Sequence, residues 1–172
     1  MFKKQDHSPL EVWITQASSN SIWSLEFITQ LALSSKFDSI LVVVDRFSKM
    51  AIFIPTYLTI TSLDLAQIFF SNVFSKHGLP ISIVSDSSSL FLSAFWTQLC
   101  QKLRISSDLS TAFHPETDGQ TERVNQILEQ YLQMYVSYHQ HDWHTWLLLA
   151  EFAIIIQNIH QQSNHPFSQF ME

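Results

Sequence analysis

Three apolar segments joined by short connections constrain this chain more than any other feature. Ile22-Trp23-Ser24-Leu25-Glu26-Phe27-Ile28 alternates loosely and predicts a strand. Asp38–Asp45 is a β-branched run that predicts a second, and Lys49–Pro55 predicts a third, stopped by its proline. Parallel neighbours need a long crossover, so these three predict an antiparallel meander. Thr61–Lys76 predicts a helix with Leu65, Ile68, Phe69 and Val73 on one side, closed by His77-Gly78 and Pro80. Ile81–Asp86 predicts a short buried strand ending in an acid. The period of Phe91, Leu92, Phe95, Trp96, Leu99 and Leu103 predicts another helix, and a short strand is expected near Ser107–Ser110. The pattern is mixed α/β.

The stretch Ser110–Asn125 comes next. His114-Pro115 disfavours helix before the proline, and Asp118-Gly119 is turn chemistry. Thr117 followed by Gln120 fits a capping box, so a helix is expected to begin there. Behind it Val124, Ile127, Leu128, Tyr131, Leu132, Tyr135 and Val136 step by three and four along one helical face. Glu122 falls in the first turns, off the apolar stripe. There a carboxylate is also what the helix dipole alone favours.

Asp86 gives Glu122 a second meaning. An acid where a strand stops and a helix starts is a common place for catalytic groups. Ile83-Val84-Ser85-Asp86, Phe91, Phe95-Trp96 and the whole of Ser110–Asn125 resemble the integrase catalytic core of gypsy-type LTR retrotransposons, relatives of retroviral integrases. That family carries two aspartates and a glutamate, the last two separated by thirty-five residues, as Asp86 and Glu122 are here. The similarity runs from about Ile22 to Phe167. It implies a ribonuclease-H-like fold, with a five-stranded mixed sheet of three antiparallel strands and then two parallel ones, flanked by helices.

By the same resemblance Asp86 and Glu122 fill the second and third acidic positions. The first falls on Ser24-Leu25-Glu26-Phe27-Ile28, where the family shows an aspartate. Glu26, Asp86 and Glu122 are therefore the expected catalytic and metal-binding residues, for two Mg²⁺ (or Mn²⁺) ions. Such ions prefer carboxylate oxygens, and a pair about 3.5–4 Å apart can activate the attacking oxygen and stabilise the leaving one. His114, Thr117, Asp118, Gln120 and Arg123 are expected to contact nucleic acid. The implied partners are retrotransposon DNA ends and target DNA, with RNA a further candidate, and the implied location is the nucleus.

Composition sets other bounds. The 172 residues, 46% hydrophobic and 14% charged, suit one globular domain: 1–20 as a polar lead-in and 21–172 as the core. A single cysteine, Cys100, and one upstream histidine, His7, leave no material for the family's N-terminal zinc module, and no C-terminal domain is expected. No apolar run reaches the length of a membrane span. A net charge of −6, with no Lys or Arg after Arg123, argues for weak intrinsic DNA affinity. His139-Gln140-His141-Asp142-Trp143-His144 has metal-binding residue types, but its spacing fits a polar helix–helix turn better. The helix from Trp143 is apolar nearly all round, which suits burial or a homodimer contact.

Two departures bear on activity. Glu26 adds a methylene to the expected aspartate, and Ser87-Ser88-Ser89-Leu90 replaces the family's Arg-Gly-Pro-Gln. A Mg²⁺-dependent polynucleotidyl transferase is the leading reading. The alternative is a non-catalytic remnant that keeps the fold and binds DNA or protein.

Overall fold

The computed structural model describes residues 21–109, 115–136 and 141–163, without the side chains of 115–122 and 158–163. The expected lead-in, 1–20, lies outside the described residues. Five strands form one sheet in the order β3-β2-β1-β4-β5. They are β1 (Ile22–Ile28), β2 (Ser39–Asp45), β3 (Ala51–Thr56), β4 (Ser82–Ser85) and β5 (Ser106–Leu109). β1 and β3 each pair antiparallel with β2, while β4 runs parallel to both β1 and β5. This is the expected mixed sheet, with boundaries within a residue or two of the sequence reading.

The β-branched run explains the layering. Every residue of β2 is buried, because its side chains alternate between two covered faces. Leu41 and Val43 join Trp23, Leu25, Ile83, Phe69 and Trp96 on one face. Ile40, Val42 and Val44 join Val124, Leu128, Trp143, Leu147 and Ala150 on the other.

The first face is covered by α1 (Ser62–Phe69), which runs through a π-helical turn (Phe70–Phe74) into α2 (Ser75–His77), and by α3 (Ala94–Lys102). Thr61 caps α1: it accepts from the Asp64 N–H, and the Asp64 carboxylate accepts from the Thr61 N–H. Phe69 is fully buried, with Phe74 and Trp96 edge-on at 4.8 and 5.7 Å. Truncation to Ala there costs about 3–5 kcal/mol by the usual behaviour of buried aromatics. Cys100 lies in this core, and burial pushes its thiol up to about 11. It is no nucleophile at neutral pH.

The second face is covered by α4 (Pro115–Tyr135) and α5 (Trp143–Ser163). Here the structure corrects the sequence reading. α4 begins at Pro115, not Thr117, so Thr117 and the Asp118-Gly119 pair lie within the helix. Proline is tolerated in a first turn, where its missing N–H would have had no partner. The start of α5 is clasped to the β1–β2 loop. Trp143 Nε1 donates to the Ala32 carbonyl at 2.6 Å, and Ser34 Oγ donates to the His141 carbonyl at 2.8 Å. His144 Nδ1 lies 2.6 Å from the same hydroxyl. His141 and His144 thus serve a helix junction; His139 lies outside the described residues.

α5 is not buried all round. Trp143, Leu147, Ala150 and Ile154 face the sheet, while Leu148, Leu149, Phe152, Ile155 and Ile156 are exposed. Glu151, beside the buried row, accepts from the Phe53 N–H of edge strand β3 at 2.6 Å. Desolvation raises its pKa. No helix among the described residues is long and apolar enough to cross a membrane.

Candidate active site

The parallel pairing of β1 with β4 is what assembles the site. Its register ends with Leu25 opposite Ser85. One residue further along each chain stand Glu26, still within β1, and Asp86, which directly follows the end of β4. Leu25 faces the first core, so alternation turns Glu26 to the other face, beneath α4. Val42, its partner on β2, belongs to that second core.

Glu26 is partly buried, and Asn125 of α4 donates from Nδ2 to its Oε2 at 2.8 Å. The other end of that amide, Asn125 Oδ1, is buried without a hydrogen bond, as is Ser24 Oγ two residues before Glu26. Asp86 is exposed, and its Oδ1 accepts from the Ser88 N–H at 3.2 Å, an Asx turn that shapes Ser87–Ser89. Glu26 is half-buried and Asp86 exposed, so the two carboxylates have different surroundings.

Glu122 stands on α4 three positions before Asn125, nearly one helical turn toward the N-terminus. Its carboxylate lies outside the described residues. Thr117, Asp118 and Gln120 occupy the first turns of α4, their side chains also outside the description. His114 falls outside it entirely, and Arg123 is exposed on α4. The structure thus puts Glu26 on β1, Asp86 just after the neighbouring parallel strand β4, and the backbone of Glu122 on the helix that contacts Glu26.

Sequence reading missed Asn125. It belongs to the quoted stretch, yet its function depends on Glu26, 99 residues away. A polar residue beside Val124 on an apolar helix was the available signal. Asp45, at the end of β2, is 9% exposed and accepts from the Phe47 N–H and from Ser48 Oγ.

Carboxylate oxygens are the donor set that Mg²⁺ or Mn²⁺ prefers, so Glu26 and Asp86 fit such an ion chemically. Among the described residues no group of three His, Cys, Asp or Glu could hold a metal. The described part of the expected set is this pair.

Known proteins fit this picture. No family model matches the chain. It is homologous to part of the Tf2 retrotransposon polyproteins of Schizosaccharomyces pombe. Transposon Tf2-3 and Tf2-4 polyproteins are each 37% identical over 170 residues, 97% of this chain. The chain spans 12% of the length of those polyproteins. Its fold is that of integrase catalytic cores. The HTLV-2 integrase catalytic core domain in complex with magnesium, in its dimeric form, superposes with a TM-score of 0.61 at 22% identity, covering 78% of this chain and 85% of that one. The BIV integrase core gives 0.61 at 17% identity, covering 85% and 100%. A simian T-cell lymphotropic virus intasome, in complex with a PP2A regulatory subunit, gives 0.65 at 22% identity, covering 80% and 49%.

Proposed function

We propose that this chain is the catalytic core of a gypsy-type retrotransposon integrase, joining DNA strands by divalent-metal-dependent phosphoryl transfer. The observation that carries this reading is Glu26 on β1, held by Asn125 of α4, with Asp86 directly after the parallel neighbour β4. Homology to retrotransposon polyproteins and the integrase-core fold support it.

Strand transfer asks a protein for positioning and charge stabilisation more than for covalent chemistry. Glu26, Asp86 and Glu122 would hold Mg²⁺, which when bound supplies Lewis-acid polarisation of phosphoryl oxygen and a more acidic attacking hydroxyl. The rest falls to the chain itself. Asn125 restrains the longer Glu26 arm, offsetting the freedom that its extra methylene adds. Asp86 offers an exposed carboxylate whose loop is tied down at Ser88. His114, Thr117, Asp118, Gln120 and Arg123 meet the DNA near the reacting phosphate. The exposed row on α5 is the surface through which two copies associate.

The test is strand transfer by the purified chain with Mg²⁺ or Mn²⁺ on a short duplex, with Asp86→Asn as the control. Activity that Asp86→Asn abolishes supports the proposal. A metal-replete, folded chain without activity overturns it in favour of a remnant that keeps only the fold.

A further inference from the structure

At the other end of the sheet, the β2–β3 turn presents an aromatic ring to solvent. Phe47 is 87% exposed, although it sits on a tightly bonded turn. The Asp45 carboxylate accepts from the Phe47 N–H at 3.0 Å and from Ser48 Oγ at 2.7 Å. Lys49 takes a left-handed φ of 62°, its N–H donates to the Asp45 carbonyl at 2.8 Å, and Asp45 N–H donates to the Met50 carbonyl at 2.9 Å. Lys49 Nζ donates to the Arg46 carbonyl. A single exposed hydrophobic residue usually needs no explanation. One fixed on a turn between two cations does.

Cations gather around the Asp45 carboxylate at this end although the chain as a whole is acidic, at −6. Arg46 is close enough to Lys49 to help depress its pKa, after desolvation, while Asp45 acts in the opposite direction. Lys76, exposed on α2, does the same to His77, whose ring lies 5.9 Å from Trp23 of β1. The Arg46 N–H bonds the Ile22 carbonyl, which fixes the turn beyond the start of β1. From Ile22 to Glu26 is about 13 Å along the strand. The turn is therefore separate from the carboxylates, and its binding does not depend on them.

We propose that the turn Arg46–Lys49 is a docking point for single-stranded nucleic acid, with a base stacked on Phe47 and phosphates against Arg46 and Lys49. An aromatic face beside cations suits an unstacked base on a charged backbone. An acidic peptide would satisfy the cations and leave the ring unused. A duplex keeps its bases stacked away from it.

The test is fluorescence anisotropy of a labelled oligothymidylate at low salt without divalent metal. Phe47→Ala should weaken binding about 5- to 100-fold, the range for loss of one stacked base, with the salt slope unchanged. Phe47→Trp should bind at least as tightly as the parent. Arg46→Gln and Lys49→Gln should each weaken binding and flatten the salt dependence by about 0.7 in slope. No binding by the parent, parental affinity in Phe47→Ala, equal competition by oligoglutamate, or equally tight duplex binding indifferent to Phe47 would each overturn the proposal.

Discussion

Asn125 of α4 and Glu26 of β1 meet across 2.8 Å, amide nitrogen to carboxylate oxygen. This contact joins the helix that carries Glu122 to the strand that carries the first acid. It should therefore set catalytic rate more than substrate affinity. Asn125→Ala is expected to lower kcat tenfold or more with KM nearly unchanged, because misplacing a reacting group by about 1 Å costs that much or more. It should also cost about 1.5–3 kcal/mol of stability, the worth of a hydrogen bond to a charged group. Unchanged kcat in a folded Asn125→Ala protein would rule out the positioning role.

Glu26→Gln separates charge from shape. The amide can still accept from Asn125, so the fold should be kept and the metal-free protein should be about as stable as the parent. Strand transfer should fall at least a hundredfold. Thermal melts and single-turnover assays on one preparation decide the matter; near-parental activity would mean that Glu26 holds no metal.

Divalent metal should stabilise the parent by mass action, about 2.7 kcal/mol at a hundredfold excess over its Kd. At this chain length each kcal/mol raises Tm by roughly 2–4 °C. Millimolar Mg²⁺ or Mn²⁺ should raise Tm by several degrees in the parent and by far less in Asp86→Asn. A Tm indifferent to both ions would end the metal-site reading.

Glu151 makes a prediction about pH. Burial raises its pKa, outweighing the lowering effects of the Phe53 N–H and of Lys76. For an acid, a raised folded-state pKa means that folding favours the protonated form. This contribution is therefore full at low pH and lost as pH rises from the ordinary value through the raised one. Glu151→Gln keeps an acceptor for Phe53 and should gain stability relative to the parent as pH rises through that window. Glu151→Ala leaves the edge N–H without its acceptor and should be destabilised by about 1–3 kcal/mol. Denaturant titrations of the three proteins at several pH values give the comparison, and a Glu151→Gln advantage that shrinks with rising pH would refute the argument.

The exposed row on α5 predicts self-association. Phe152→Glu and Leu148→Glu change side chains that are 60% and 74% exposed, so each should leave the fold intact. Each should shift a dimer toward monomer in sedimentation velocity. An unchanged distribution would exclude this face as the contact.

What was legible in the sequence followed from local pattern. The run Ile40–Val44 could hardly be anything but a strand, and the spacing of Asp86 and Glu122 is a linear property of the chain. What was not legible depended on contacts distant in sequence. Thr117 reads as a cap because a helix that starts at Pro115 and runs through Asp118-Gly119 contradicts the local propensities. The helix from Trp143 seemed uniformly apolar because the polar Glu151 is spent on the edge of β3. Asn125 had no visible meaning until β1 was placed beneath it.

The parallel pairing of β1 with β4 also dictates when the site comes into existence. β1 and β4, which carry Glu26 and lead into Asp86, pair only after a crossover of more than fifty residues has closed, and contacts so distant in sequence form slowly. The Asn125 contact spans 99 residues and waits longer still. A chain stalled or cleaved between β4 and α4 would contain both acids and most of the sheet, yet lack the amide that fixes the first acid. On this reading catalytic competence arrives late in the maturation of the chain, after most of its architecture is already built.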